Sequence, residues 1–223
     1  TLIAVLAFLN YVGIKETSRV NILFTAVEII GLIIVIILGI GSFGNTNYFE
    51  MPSGFSGVFV AAALIFFAYL GFEEVVNVAE ETKNPKKIIP RALLLSALIS
   101  TILYILASVS AVSLVNWSEL AQSQAPLAFA ASHSALGQNA FFLISVIALF
   151  ATVSTVLGIL LVTSRMVYGM SNEKSLPKIL SRLHKRTKTP YAAIAAVAAL
   201  SIAFLFYGGL ESLAEITSIG ALT

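Results

Sequence analysis

The 223-residue sequence contains no cysteine, so disulfides, thiolate metal sites and thiol nucleophiles are excluded. It also contains no aspartate: all eleven acidic residues are glutamate. Its two histidines, His133 and His184, stand far apart. A Ser-His-Asp triad therefore cannot be assembled, a histidine-rich metal cluster is disfavoured, and no cofactor is expected. Charge is scarce as well. Charged residues make up 11% of the chain, where a soluble domain carries about a quarter. Hydrophobic residues reach 58% and the mean hydropathy is +0.96. That excess cannot be hidden in a core of this length, which points to burial in a lipid bilayer.

Crossing the hydrocarbon core takes about 20 apolar residues in a helix. Apolar runs predict spans at 1–13 (partial), 20–41, 55–80, 90–115, 138–170, 190–207 and 211–223 (partial). Both ends read as cut through membrane helices. No alternation of strand type appears, so an all-α, polytopic membrane domain is expected over 1–223. The connections are of two kinds. Loops 14–19, 83–91 and 174–188 are basic, whereas 42–54, 116–137 and 208–210 have no Lys or Arg. The two kinds alternate along the chain, which places the basic loops in the cytoplasm. This also explains the basic run at 174–188 without a nucleic-acid partner. Asn84-Pro85 predicts a turn, and Pro90 is suited to begin the following helix. Segment 118–131 predicts one short helix at the outer surface, with Pro126 arguing against a span.

The stretch FFAYLGFEEVVNVAEETKNPKKIIPRA at 66–92 carries the most chemistry. Gly71 interrupts an apolar helix near mid-membrane, and Glu73 and Glu74 follow. A carboxylate at this depth costs about 2.5–3.5 kcal/mol on insertion scales, so it normally faces the protein interior. Glycine favours local unwinding, and an unwound turn in lipid must line a cavity or bind something. Such discontinuous helices point to transporter binding sites. The plainer alternative is that Gly71 only admits a neighbouring helix while Glu73 pairs with a buried group.

The same stretch resembles the sixth membrane helix and following loop of the amino acid–polyamine–organocation permeases, through GFE at 71–73, EETKNPKK at 80–87 and Pro90. NYVGIKETSRVN at 10–21 is similar to the loop between that family's fourth and fifth helices. SRMVYGMSNEKSLPKILSRLHKRTKTPYAA at 164–193 is similar to the end of its eighth helix and the loop beyond. The resemblance covers essentially the whole chain. It implies a fragment from late helix four to mid helix ten of a fold built from two inverted five-helix repeats, with a discontinuous helix.

On this resemblance, Phe67 stands at an aromatic gate, Ala68, Tyr69 and Leu70 offer carbonyls to a substrate ammonium, Gly71 leaves backbone room, and Glu73 lies below the site. Thr155, Gly158 and Ile159 match the substrate-facing stretch of helix eight, with Ser154 and Thr155 as candidate sodium ligands. Ordinary packing of small residues is the favoured account of Ser154 and Thr155. Glu28 stands alone in the apolar run 20–41. Some family members carry a Lys there that is implicated in proton coupling, so Glu28, like Glu73, is a proton-coupling candidate; a carboxyl paired with a neighbouring helix is the alternative. Arg165 and Tyr168 suit an inner gate or simple snorkelling.

The expected activity is secondary transport of amino acids or related amines by alternating access, as proton-coupled symport or exchange, in the plasma membrane. Sodium coupling and a non-transporting sensor or scaffold of the same fold are the alternatives. A membrane-embedded enzyme lacks a catalytic constellation. Nothing in the sequence sets an oligomeric state.

Overall fold

The computed structural model describes residues 2–66, 82–185 and 187–207. All regular elements among them are helical: α1 (Leu2–Val12), α2 (Ile14–Ile40), α3 (Gly54–Phe66), α4 (Pro85–Leu114), α5 (Trp117–Leu120), α6 (Pro126–Ser132), α7 (Gln138–Asn172), a 3₁₀ turn (Lys178–Ser181) and α8 (Tyr191–Tyr207). Three are long and apolar enough to cross a membrane, over Glu16–Ile40, Pro85–Leu114 and Gln138–Asn172. Their outer faces carry large apolar side chains, with Leu94 74% and Phe142 71% exposed, a surface suited to lipid rather than water. The expected spans at 55–80 and 211–223 fall wholly or partly outside the described residues.

Two starts differ from expectation. Helix α4 begins at Pro85, not Pro90. Asn84 takes a left-handed conformation (φ 51°), and Pro85 occupies the first turn, where a missing N–H costs nothing. Pro90 therefore lies inside the helix and removes one backbone hydrogen bond near its start. The outer segment 118–131, expected as one helix, forms the two short helices α5 and α6. Pro126 starts the second, and Asn116 caps the first by accepting from the Ser118 N–H.

The chain divides into two compact units. The first comprises Thr1–Leu23 and Val153–Thr223. Its core joins Leu6, Leu157, Leu160 and Val197, and α1 packs on α8. Helix α1 stops at Gly13, whose φ of 153° suits glycine. Its last carbonyls are then satisfied by threonines. The Thr17 hydroxyl lies 3.1 Å from Leu9 O and 2.9 Å from Gly13 O, and Thr189 Oγ1 donates to Tyr11 O at 2.9 Å. Both threonines are buried. Thr17→Val is therefore expected to lower stability by about 1 kcal/mol, because Leu9 loses its partner. Thermal melting in detergent checks this, and an unchanged melting temperature would show that the hydroxyl is dispensable.

The second unit is Phe24–Thr152. Val35, Ala128, Ala131, Ala140 and Ile144 form one core cluster, and Ala111, Val115 and Ala130 another. Small residues let α2 approach its neighbours closely. A Cβ on Gly39 would meet Ser110 Cβ at 2.5 Å and Ser110 Cα at 2.7 Å, and one on Gly31 would meet Ile147 Cγ2 at 2.5 Å. The outer loop is tied to α4 by a chain of hydrogen bonds. Gly44 N–H donates to the Tyr48 hydroxyl at 2.8 Å, and Tyr48 lies 2.7 Å from Ser113 Oγ. Ser113 already donates to Val109 O at 2.6 Å, so Tyr48 is the donor to Ser113.

Candidate functional site

The second unit contains a cavity of about 500 Å³. Helix α2 contributes Glu28, Gly31, Leu32 and Val35, spaced so that one helix face looks onto it. Tyr104 comes from α4, Gln124 through Ala128 from the turn before α6 and its start, and Ile144, Ser145, Ile147, Ala148 and Ala151 from α7. The walls are mostly apolar. Polar chemistry comes from Glu28, Tyr104, Gln124 and Ser145, and Glu28 is the single carboxylate in the lining among the described residues.

Oε1 of Glu28 is buried. A carboxyl can bind a proton, and when ionised it attracts a cation. The arrangement can therefore hold a proton, or the cationic end of a small molecule whose remainder meets apolar wall. The bare glycine at Gly31 admits Ile147 against the helix one turn beyond the carboxylate. That close approach fixes the spacing of α2 and α7 beside the cavity.

The helix-α7 candidates lie in the first unit and divide between two faces. Ser154 is buried and donates to Asn21 Oδ1 at 3.0 Å, on the side that carries the buried Leu157 and Leu160. Thr155 and Ile159 are exposed, and Ile159 is 48% accessible. Gly158 is half-buried, one turn on from Ser154, and a Cβ there would meet nothing within 4 Å. Thr155 and Ile159 thus lie on a face left uncovered by the described residues, and Gly158 stands between that face and Ser154. Arg165 is half-buried with Nε inside, and Tyr168 is half-buried. Phe67, Ala68, Tyr69, Leu70, Gly71 and Glu73 lie outside the described residues.

Sequence reasoning missed Asn21, Tyr104, Gln124 and Ser145. Asn21 and Tyr104 left a trace, each a polar group beside or within a long apolar run. Gln124 and Ser145 left none, because only the tertiary arrangement brings them to the cavity.

Comparison with known proteins decides the relationship. The sequence model of the amino acid permease family matches residues 1–220. The chain belongs to the amino acid permease family. It is 33% identical over 224 residues to the branched-chain amino acid permease BcaP of Bacillus subtilis (strain 168), covering 100% of this chain and 48% of that protein. It is 32% identical over 228 residues to the vacuolar cationic amino acid transporter 4 of Arabidopsis thaliana, covering 99% and 38%. It is 33% identical over 216 residues to the methylthioribose transporter of Bacillus subtilis (strain 168), covering 95% and 46%. The chain thus spans about half or less of the length of these curated relatives. Family and helices together make this permease chain an integral membrane protein, and the family is one of transporters rather than enzymes.

Proposed function

We propose that this permease carries amino acids or related amines across a membrane as a secondary transporter, by alternating access, in proton-coupled symport or exchange. The observation that carries the proposal is a partly buried carboxyl, Glu28, lining a mostly apolar cavity among helices of membrane type. In a transporter such a group serves as a proton site. Family membership and the amino acid transporters among its relatives support the substrate class.

Under this proposal the free carbonyls of Ala68, Tyr69 and Leu70 at a break around Gly71 hold the substrate ammonium, and Phe67 closes over it. Thr155, Gly158 and Ile159 are the substrate-contact candidates of α7. Glu28 and Glu73 are the protonating candidates. Basic loops 14–19, 83–91 and 174–188 face the cytoplasm, and the plasma membrane is the proposed location.

The test is proteoliposome uptake by the full-length protein under an inward proton gradient, with labelled leucine and lysine as probes. Accumulation that collapses with a protonophore is the expected result. Uptake that follows a sodium gradient and ignores protons would overturn the proton-coupled assignment.

A further inference from the structure

The segment between α7 and α8 has a property that membrane topology alone does not require. Residues 173–188 carry six basic side chains, Lys174, Lys178, Arg182, Lys185, Arg186 and Lys188, against one acid, Glu173. Two apolar side chains stand exposed among them: Ile179 at 55% and Leu183 at 44%. Lys174, Lys178, Arg182, Lys185 and Lys188 are exposed too.

The segment is held in place rather than left as a loose tether. Ser171 Oγ donates to Pro177 O at 2.8 Å, and the Ser175 N–H to Met170 O at 2.9 Å. At the far end the His184 N–H donates to Thr189 O and the Lys188 N–H to His184 O, each at 2.9 Å. Thr189 fastens that turn to α1 through Tyr11 O. The 3₁₀ turn Lys178–Ser181 between these anchors therefore presents cations and apolar side chains together.

A fixed surface with both kinds of group, next to the end of a membrane-length helix, matches the boundary between headgroups and acyl chains. Its surplus of positive charge selects anionic headgroups. We propose that the 174–188 segment is a docking surface for anionic phospholipid, with Ile179 and Leu183 dipping into the interface while Lys178 and Arg182 meet phosphate oxygens. The proposal is independent of which solute is carried or how transport is coupled.

The test places an environment-sensitive fluorophore at Ile179→Cys in the full-length protein, on a background free of other cysteines. The protein is reconstituted into nanodiscs of phosphatidylcholine alone, or with about a third phosphatidylglycerol. A quencher on the acyl chains reports depth. Quenching should be several-fold stronger with the anionic lipid, as expected for about one order of magnitude in surface affinity from a few basic residues. Lys178→Glu with Arg182→Glu, and separately Lys178→Gln with Arg182→Gln, should lower it towards the phosphatidylcholine value. Both positions are exposed, so neither pair should unfold the protein, which a melting curve verifies. Equal quenching in the two lipids, a probe that stays in water in both, or a shielded probe that lipid quencher never reaches would each overturn the proposal. The last result would mean a protein partner or another part of the chain covers the surface.

Discussion

Glu28→Gln is expected to uncouple transport from the proton gradient while leaving exchange intact. Gln keeps the size of a protonated Glu and some of its hydrogen bonding but cannot release a proton. One coupled proton supports up to about tenfold accumulation per pH unit of gradient, since each unit is worth ~1.4 kcal/mol. Wild-type vesicles should approach that ratio, and Glu28→Gln vesicles should fall to equal concentrations inside and out. Exchange of labelled for unlabelled substrate should persist, because the cavity wall keeps its shape. A variant that still accumulates substrate as steeply as wild type would move coupling to another group, with Glu73 the first to test.

Gly39→Leu should have the larger effect on the fold. The obstacle at Gly39 is not the end of a flexible side chain but Ser110 Cα, 2.7 Å from the position a Cβ would take. Ser110 is fully buried, and its hydroxyl donates to Leu106 O at 2.7 Å. Helices α2 and α4 would have to move apart, disturbing the nearby core of Ala111 and Val115. Overpacking of this kind costs about 1–3 kcal/mol even where the backbone can adjust, and more where it cannot. The variant should show a much reduced monodisperse fraction in size-exclusion chromatography and a lower melting temperature. Gly158→Ala is the matched control, since nothing stands within 4 Å of its added Cβ. It should purify normally and, if its face lines the substrate, bind substrate more weakly. Normal behaviour of Gly39→Leu would mean that the two helices are not pressed together as described.

Much of the fold could be read from residue order because the bilayer imposes simple demands. Long apolar runs had to be helices, and each of the three membrane-length helices overlaps one expected run while extending past it at one end. Local punctuation was harder. Asn84 in a left-handed conformation let Pro85 open α4, and nothing in the spacing of Pro85 and Pro90 distinguished the two starts. Pro126 argued correctly against a span but also divided the outer segment, which the single-helix expectation overlooked.

The candidate site was legible where a carboxyl within an apolar run made one residue conspicuous. Glu28 stood out as the lone acid of an apolar run and lines the cavity. Its companions did not stand out, because Gln124 and Ser145 belong to segments far along the chain that meet only after folding. Ser154 shows the converse difficulty. A hydroxyl among small residues suited an ion site and a packing role alike, and its bond to Asn21 is a through-space fact. Thr155, one residue on, points about 100° further round α7 and is exposed, so neighbours in sequence can differ in surroundings.

The most direct measurement of the central claim, that this permease moves amino acids across the bilayer, is counterflow in sealed proteoliposomes carrying the full-length protein. Vesicles loaded with unlabelled amino acid should transiently concentrate the labelled compound from outside, and protein-free vesicles should not. Saturable binding of the label without any accumulation inside would contradict the account and identify a sensor instead.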